Sequence, residues 1–153
     1  MQKLFDKQSA IITGAGQGIG FEIARQLALQ GASVILNDVD ETMAQQASAK
    51  ISEQGGACYA MAGDAADTVF IQRMVDEAVQ RFGALTIAIA NAGITLFADF
   101  FEYKPESLQR VMSVNLSGSF FLAQVAANQM RMQQSGGSIL FMSSVTGHQA
   151  HKN

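Results

Sequence analysis

The sequence predicts a doubly wound α/β fold, a parallel sheet with helices on both faces. Two observations carry this expectation. Short apolar or β-branched runs alternate with stretches of helical periodicity, and the first run opens onto a glycine cluster that leads into a helix. Composition agrees: 48% hydrophobic and 15% charged residues, with 14 Gly and one Pro, fit a globular α/β protein.

Residues 9–13 are a short apolar run, after which Ile19, Ile23, Ala24, Leu27 and Ala28 recur at helical spacing. Gly31 stands where a left-handed residue would close that helix, and 33–37 (SVILN) reads as a second strand. Asp40 can cap a helix running to about Gln54. Gly55 and Gly56 end it, and 57–61 is a weaker third strand. Asp67 or Thr68 can start the next helix, whose apolar face is Phe70, Met74, Ala78 and Phe82, and 85–90 follows as a fourth strand. Pro105 suits the first turn of one long helix through Met132. Gly136 and Gly137 break that helix before a fifth strand at 138–142.

Strands joined by single helices must run parallel, because each connection crosses over the sheet. No linker, low-complexity tract or charge block divides residues 1–153, so one domain is expected. It needs no staple, since a chain of 153 residues can bury roughly two thirds of its unfolded surface. Cys58 is the only cysteine, which excludes an internal disulfide and reads as a buried small hydrophobe.

The net charge of −3 gives no basic footprint for nucleic acid or an anionic membrane surface. Lys3, Asp6 and Lys7 precede any apolar run, unlike a signal peptide, and no stretch reaches the ~18 apolar residues that span a bilayer. A cytoplasmic address is expected. His148 and His151 lack carboxylate or cysteine neighbours at metal-ligand spacing and read as loop residues, with no metal site.

The chemistry concentrates at strand ends. Thr13-Gly14-Ala15-Gly16-Gln17-Gly18-Ile19-Gly20 lies between the first strand and first helix, where backbone N–H groups and the helix dipole favour a phosphate. Its spacing is GxxxGxG; Ile19 takes the last position of a GxGxxG and also spoils a Walker A motif. Asp38 ends the second strand 18 residues after Gly20, where a carboxylate can accept both hydroxyls of an adenosine ribose. A 2′-phosphate there would face a negative charge with no flanking Arg or Lys, so the cofactor expected is NAD rather than NADP.

With these residues in place, the sequence resembles the short-chain dehydrogenase/reductase family, whose TGxxxGxG loop is matched at Thr13 to Gly20. The resemblance runs through all 153 residues and implies a Rossmann-type sheet. Gly63-Asp64-Ala65 corresponds to the family's adenine-contacting segment. Asn91-Ala92-Gly93 corresponds to its NAG motif, with Ala90 in place of a frequent first Asn. Asp64 can accept from an adenine amino group, and Asn91 to Gly93 lets backbone approach the nicotinamide-side ribose. The cofactor contacts expected are therefore Gly14, Gln17, Gly18, Ile19, Gly20, Asp38, Asp64, Ala65, Asn91, Ala92 and Gly93.

Asn115 lies inside the long apolar helix, an awkward place for an amide without partners. The resemblance makes it a holder of water in a proton relay. It also makes Ser144, in Ser143-Ser144-Val145-Thr146-Gly147, the residue that polarises a substrate carbonyl, with Ser143 the alternative one residue away. The family's acid/base pair is YxxxK, but Tyr59 and Tyr103 are followed four residues later by Gly63 and Ser107.

The resemblance thus implies an NAD-dependent oxidoreductase that interconverts a small-molecule alcohol and a carbonyl, from a homo-oligomeric parent. The 153 residues read as its amino-terminal portion, cut after the fifth strand and inactive alone. The alternative is a non-catalytic nucleotide-binding module or a truncated gene product.

Overall fold

A computed structural model describes residues 3–147. The strands are β1 (Ser9–Ile12), β2 (Ser33–Asp38), β3 (Ala57–Ala62), β4 (Ile87–Ala90) and β5 (Ser138–Phe141). The helices are α1 (Gly18–Leu29), α2 (Glu41–Glu53), α3 (Thr68–Phe82), α4 (Pro105–Met112) and α5 (Ser119–Met132). The sheet runs β3-β2-β1-β4-β5 with every described pairing parallel, which bears out the doubly wound expectation. Its order reverses direction between β1 and β4, and open α/β sheets bind ligands at such a switch point.

Side-chain alternation on the central strands divides the core into two layers. Ala10, Ile12, Val34 and Leu36 pack with Ala24, Leu27, Ala44 and Ile51 of α1 and α2. Ile11 and Ile35 pack on the opposite face with Ile71, Met74, Val75, Leu122 and Ala126 of α3 and α5. β5 is an outer strand, with Leu140 and Phe141 exposed.

Helix ends follow their local chemistry. Gly31 (φ +109°) closes α1: its N–H reaches the Ala28 carbonyl, and Ala32 N–H reaches that of Leu27. Gly55 (φ +86°) repeats the device for α2, with Gly56 N–H bonded to Ile51 O. Asp40 caps α2 through Met43 N–H. Of the two candidates for α3, Asp67 is the cap, accepting from Val69 and Phe70.

The one long helix expected from Pro105 to Met132 is divided. Ser113–Gly118 forms a π-helical turn between α4 and α5. A wider turn of this kind inserts a residue without breaking the axis, and such turns concentrate at functional sites. Here it coincides with two close approaches: Asn115 to the backbone of Ile94, and Gly118 to Ala65.

Candidate cofactor and substrate site

The strands deliver their carboxyl-end residues to one rim. Just beyond β1 lies Thr13, a buried residue whose Oγ1 accepts from the N–H groups of Asn91 and Ala92, each at 3.1 Å. Asn91, just beyond β4, returns its Nδ2 to the carbonyls of Thr13 and Gly14, each at 2.9 Å. The glycine loop and the 91–93 segment are therefore locked together across the switch point. Two glycines make this close approach possible. A Cβ on Gly14 would lie 2.8 Å from Ala92 Cα, and one on Gly20 would lie 2.4 Å from Asn91 Nδ2.

Gly18 differs, with φ +61° and open space where a Cβ would stand. It begins α1, whose N-cap Gln17 makes no side-chain capping bond. The first-turn N–H groups of that helix are consequently available to an anion, a fit for a pyrophosphate.

Asp38 ends β2 beside this loop. Its Oδ2 accepts from Gly16 N–H at 2.9 Å and its Oδ1 from Asp40 N–H at 3.1 Å. Both are single bonds to backbone donors, and a carboxylate has about four lone-pair sites, so capacity remains for ribose hydroxyls. Neighbouring Asn37 is fully buried; its Nδ2 donates to the carbonyls of Met61 (3.1 Å) and Gly63 (2.9 Å), while its Oδ1 has no partner among the described residues.

A cleft of about 290 Å³ lies over these residues, lined among others by Gly14, Gln17, Asp38, Asp64, Ala65 and Asn91. It also takes in Ala92, Gly93 and Arg110. Asp64 Oδ1 accepts from Ala66 N–H at 2.9 Å, and Oδ2 pairs with Arg110 Nη1 at 2.8 Å. Burial pushes the Asp64 carboxyl up, but the Ala66 amide and the Arg110 guanidinium outweigh it and hold the group below its ordinary value.

A second hollow, about 300 Å³, is continuous in its lining with the first through Asn91, Ala92 and Gly93. It brings together Ile19, Asn115, Ser119, Ser143 and Ser144. The Asn115 amide pairs in both directions with Ile94, accepting from its N–H at 2.8 Å and donating to its carbonyl at 3.0 Å. Asn115 lies in the π turn and is exposed, so the awkward amide expected inside one long apolar helix does not arise; the amide instead ties that turn to the Ile94 backbone.

All the residues singled out by sequence thus border these two hollows except Gly18 and Gly20. Gly18 lines a shallow hollow on the α2 side of the loop, and Gly20 acts beneath the loop by packing. Sequence reasoning missed the part played by Thr13, whose only signal was its place at the head of the loop. It also missed Asn37, Arg110 and Gly118. Arg110 is 46 residues from Asp64, and no local pattern links them. His148 and His151 lie outside the described residues. Among the described residues no group of His, Cys, Asp or Glu could hold a metal ion, and no helix is long and apolar enough to cross a membrane.

Comparison with known proteins agrees with this fold. The short chain dehydrogenase/reductase AacuN of Aspergillus aculeatus is 39% identical over 142 residues, covering 92% of this chain and 53% of its own length. The crystal structure of a short-chain type dehydrogenase/reductase from Mycobacterium marinum superposes with a TM-score of 0.92 at 31% identity, covering 96% of this chain and 60% of its own. NAD+-bound xylitol dehydrogenase superposes with a TM-score of 0.90 at 28% identity, covering 99% of this chain and 58% of its own. The chain spans between half and two thirds of the length of these relatives. The family model for short chain dehydrogenase matches residues 8–153, and the chain belongs to that family.

Proposed function

We propose that this chain carries the NAD site and part of the catalytic site of an oxidoreductase that interconverts a small-molecule alcohol and a carbonyl. The observation that carries the reading is the rim shared by two adjoining hollows. One is lined by Gln17, the N-cap of a helix start without a side-chain cap, and by two carboxylates, Asp38 and Asp64, which suit a dinucleotide's pyrophosphate, ribose and adenine; the other is lined by a pair of serines. NAD, when bound, supplies a hydride acceptor or donor. NAD rather than NADP is favoured by Asp38, whose negative charge opposes a 2′-phosphate. The xylitol dehydrogenase that superposes on this chain holds NAD+, which supports the same choice.

The chain's own residues then divide the work. Gly18, Ile19 and Gly20 offer helix-start N–H groups to the pyrophosphate, with Gln17 beside them at the N-cap. Asn91, Ala92 and Gly93 form the wall shared by the two hollows, on the nicotinamide side. Ser144 donates a hydrogen bond to the substrate oxygen as charge grows on it, a role that Ser143 would take if the register were one residue earlier. Asn115 fixes the Ile94 backbone at the edge of that space.

No tyrosine in these 153 residues is followed four positions later by lysine, so the chain taken alone is proposed to bind cofactor without turning over substrate. A cytoplasmic, homo-oligomeric parent completes the reading. Leu108, Met112, Leu116 and Phe120, exposed along one side of α4, the π turn and α5, are the surface offered to a second copy.

The test is calorimetric titration of NAD+ and NADP+ into the purified protein. Saturable binding of NAD+, with NADP+ weaker, is expected. Absence of binding to either dinucleotide would overturn the reading.

A further inference from the structure

Among the described residues, one cation lines the cleft, Arg110. It stands on α4, four residues before Val114, and both line the same cleft as Asp38 and Asp64. Its guanidinium meets Asp64 Oδ2 at 2.8 Å, while Ala66 N–H meets Oδ1 at 2.9 Å. The carboxylate is thus gripped at both oxygens, from its own loop and from a helix 46 residues further along the chain.

The loop carrying Asp64 is pinned on its other side as well. Gly63 N–H donates to Asp38 O at 3.0 Å, and Asn37 Nδ2 donates to Gly63 O at 2.9 Å. Farther along, a Cβ on Gly118 would lie 2.5 Å from Ala65 O, so the helical unit bearing Arg110 rests directly on this loop. With Oδ1 held by Ala66 N–H, the guanidinium supplies the second, directional partner that fixes the plane of the carboxylate through Oδ2.

We propose that Arg110 is a positioning residue for base recognition: by holding the Asp64 carboxylate in one orientation, it makes the cleft select a purine with a 6-amino group. Each Asp64 oxygen has one protein donor and keeps lone-pair capacity for another. An amino group can use that capacity, whereas the 6-oxo group of hypoxanthine would place an acceptor against a carboxylate. The proposal rests on the NAD reading of the cleft.

The experiment compares NAD+ with nicotinamide hypoxanthine dinucleotide, in which the 6-amino group is replaced by 6-oxo and N1 becomes a donor, by calorimetric titration; the change in the ratio on substituting Arg110, not the parent ratio alone, reads the positioning role. The parent chain is expected to bind NAD+ at least about tenfold more tightly, a ratio within reach of one charge-assisted hydrogen bond. In Arg110→Gln the NAD+ affinity falls, the hypoxanthine analogue is nearly unaffected and the ratio drops below about threefold. Arg110→Lys, which keeps the charge, recovers part of the ratio. Arg110→Met, which keeps the apolar stem, gives the same readout as Gln should that variant fold poorly. An unchanged ratio in the Gln and Met variants, or an equal loss of both dinucleotides, would overturn the proposal. A parent that binds NAD+ but does not prefer it to the analogue overturns the base-selection idea alone. A parent that binds neither overturns the cofactor reading and this inference with it.

Discussion

The N–H of Gly16 donates to Asp38 Oδ2 at 2.9 Å, so the carboxylate proposed to choose the cofactor also braces the glycine loop. A Cβ on Gly16 would lie 2.7 Å from that same oxygen, which leaves no slack between loop and strand end. Asp38→Ala is therefore expected to act twice. Removing the negative charge should lower the preference for NAD+ over NADP+ by about tenfold or more. Releasing the Gly16 amide should also weaken binding of both dinucleotides. Titration of the two cofactors separates the effects, and unchanged selectivity would remove Asp38 from the ribose site.

Gly18 and Gly20 are two residues apart, yet the structure separates their functions. At Gly20 an added methyl meets Asn91 Nδ2 at 2.4 Å and Gly14 O at 2.6 Å, so Gly20→Ala is an overpacking mutation with an expected cost of about 1–3 kcal/mol. At Gly18 it meets nothing, and the cost is the left-handed backbone alone, about 1–2 kcal/mol. The methyl at Gly18 instead occupies open space beside the helix start, where a pyrophosphate would approach. Thermal melting and cofactor titration on both variants should show the difference. Gly18→Ala loses more affinity per degree of Tm lost than Gly20→Ala.

Ser143 and Ser144 both line the second hollow, so position alone does not choose between them. If substrate turnover can be measured, on this chain or on an extended form, the proposed role of Ser144 predicts that Ser144→Ala lowers kcat by about a hundredfold while cofactor affinity stays within about twofold. Ser143→Ala should have the smaller effect on kcat. The reverse ranking would transfer the carbonyl contact to Ser143.

Much of this fold was legible because its signals are local. Alternating apolar runs gave all five strands to within two residues at each end, and Gly31, Gly55 and Asp40 mark helix ends through their own backbone or side-chain chemistry. The π turn at Ser113–Gly118 was not legible. The helical period continues through it, and the partners that accompany it, Ile94 and Ala65, lie on loops distant in sequence. The site divides in the same way. Glycines and strand-end carboxylates announce themselves by spacing, whereas the Asp64–Arg110 pair exists only once β3 and α4 have been brought to the same rim.

Cys58 should be a poor nucleophile. Burial pushes its thiol up to about 11, against a partly offsetting hydrogen bond from Ser48. Because the thiolate is the reactive species, alkylation at pH 8 is expected to be slow in the folded protein and to accelerate at least about tenfold in denaturant. Labelling at the same rate in both states would mean that the thiol is accessible and ordinary.

The Asp64–Arg110 pair also predicts a pH dependence with a definite sign. Burial of the Asp64 carboxyl works against ionisation, but the Ala66 amide and Arg110 more than compensate, and the folded-state value lies below the ordinary one of 3.8. A group depressed in this way binds its proton more weakly when folded. Its contribution to stability is therefore complete above the unfolded value and is lost as pH falls through the folded one. Both side chains are more than a third exposed, so solvent screening keeps the contribution small. The expected result is a urea midpoint that declines between roughly pH 5 and pH 2 in the parent and declines less steeply in Asp64→Asn. The difference should shrink in about 1 M NaCl, where the Debye length falls to about 3 Å. If parent and variant follow the same acid limb at low salt, Asp64 makes no net stabilising ionic contact in the folded state.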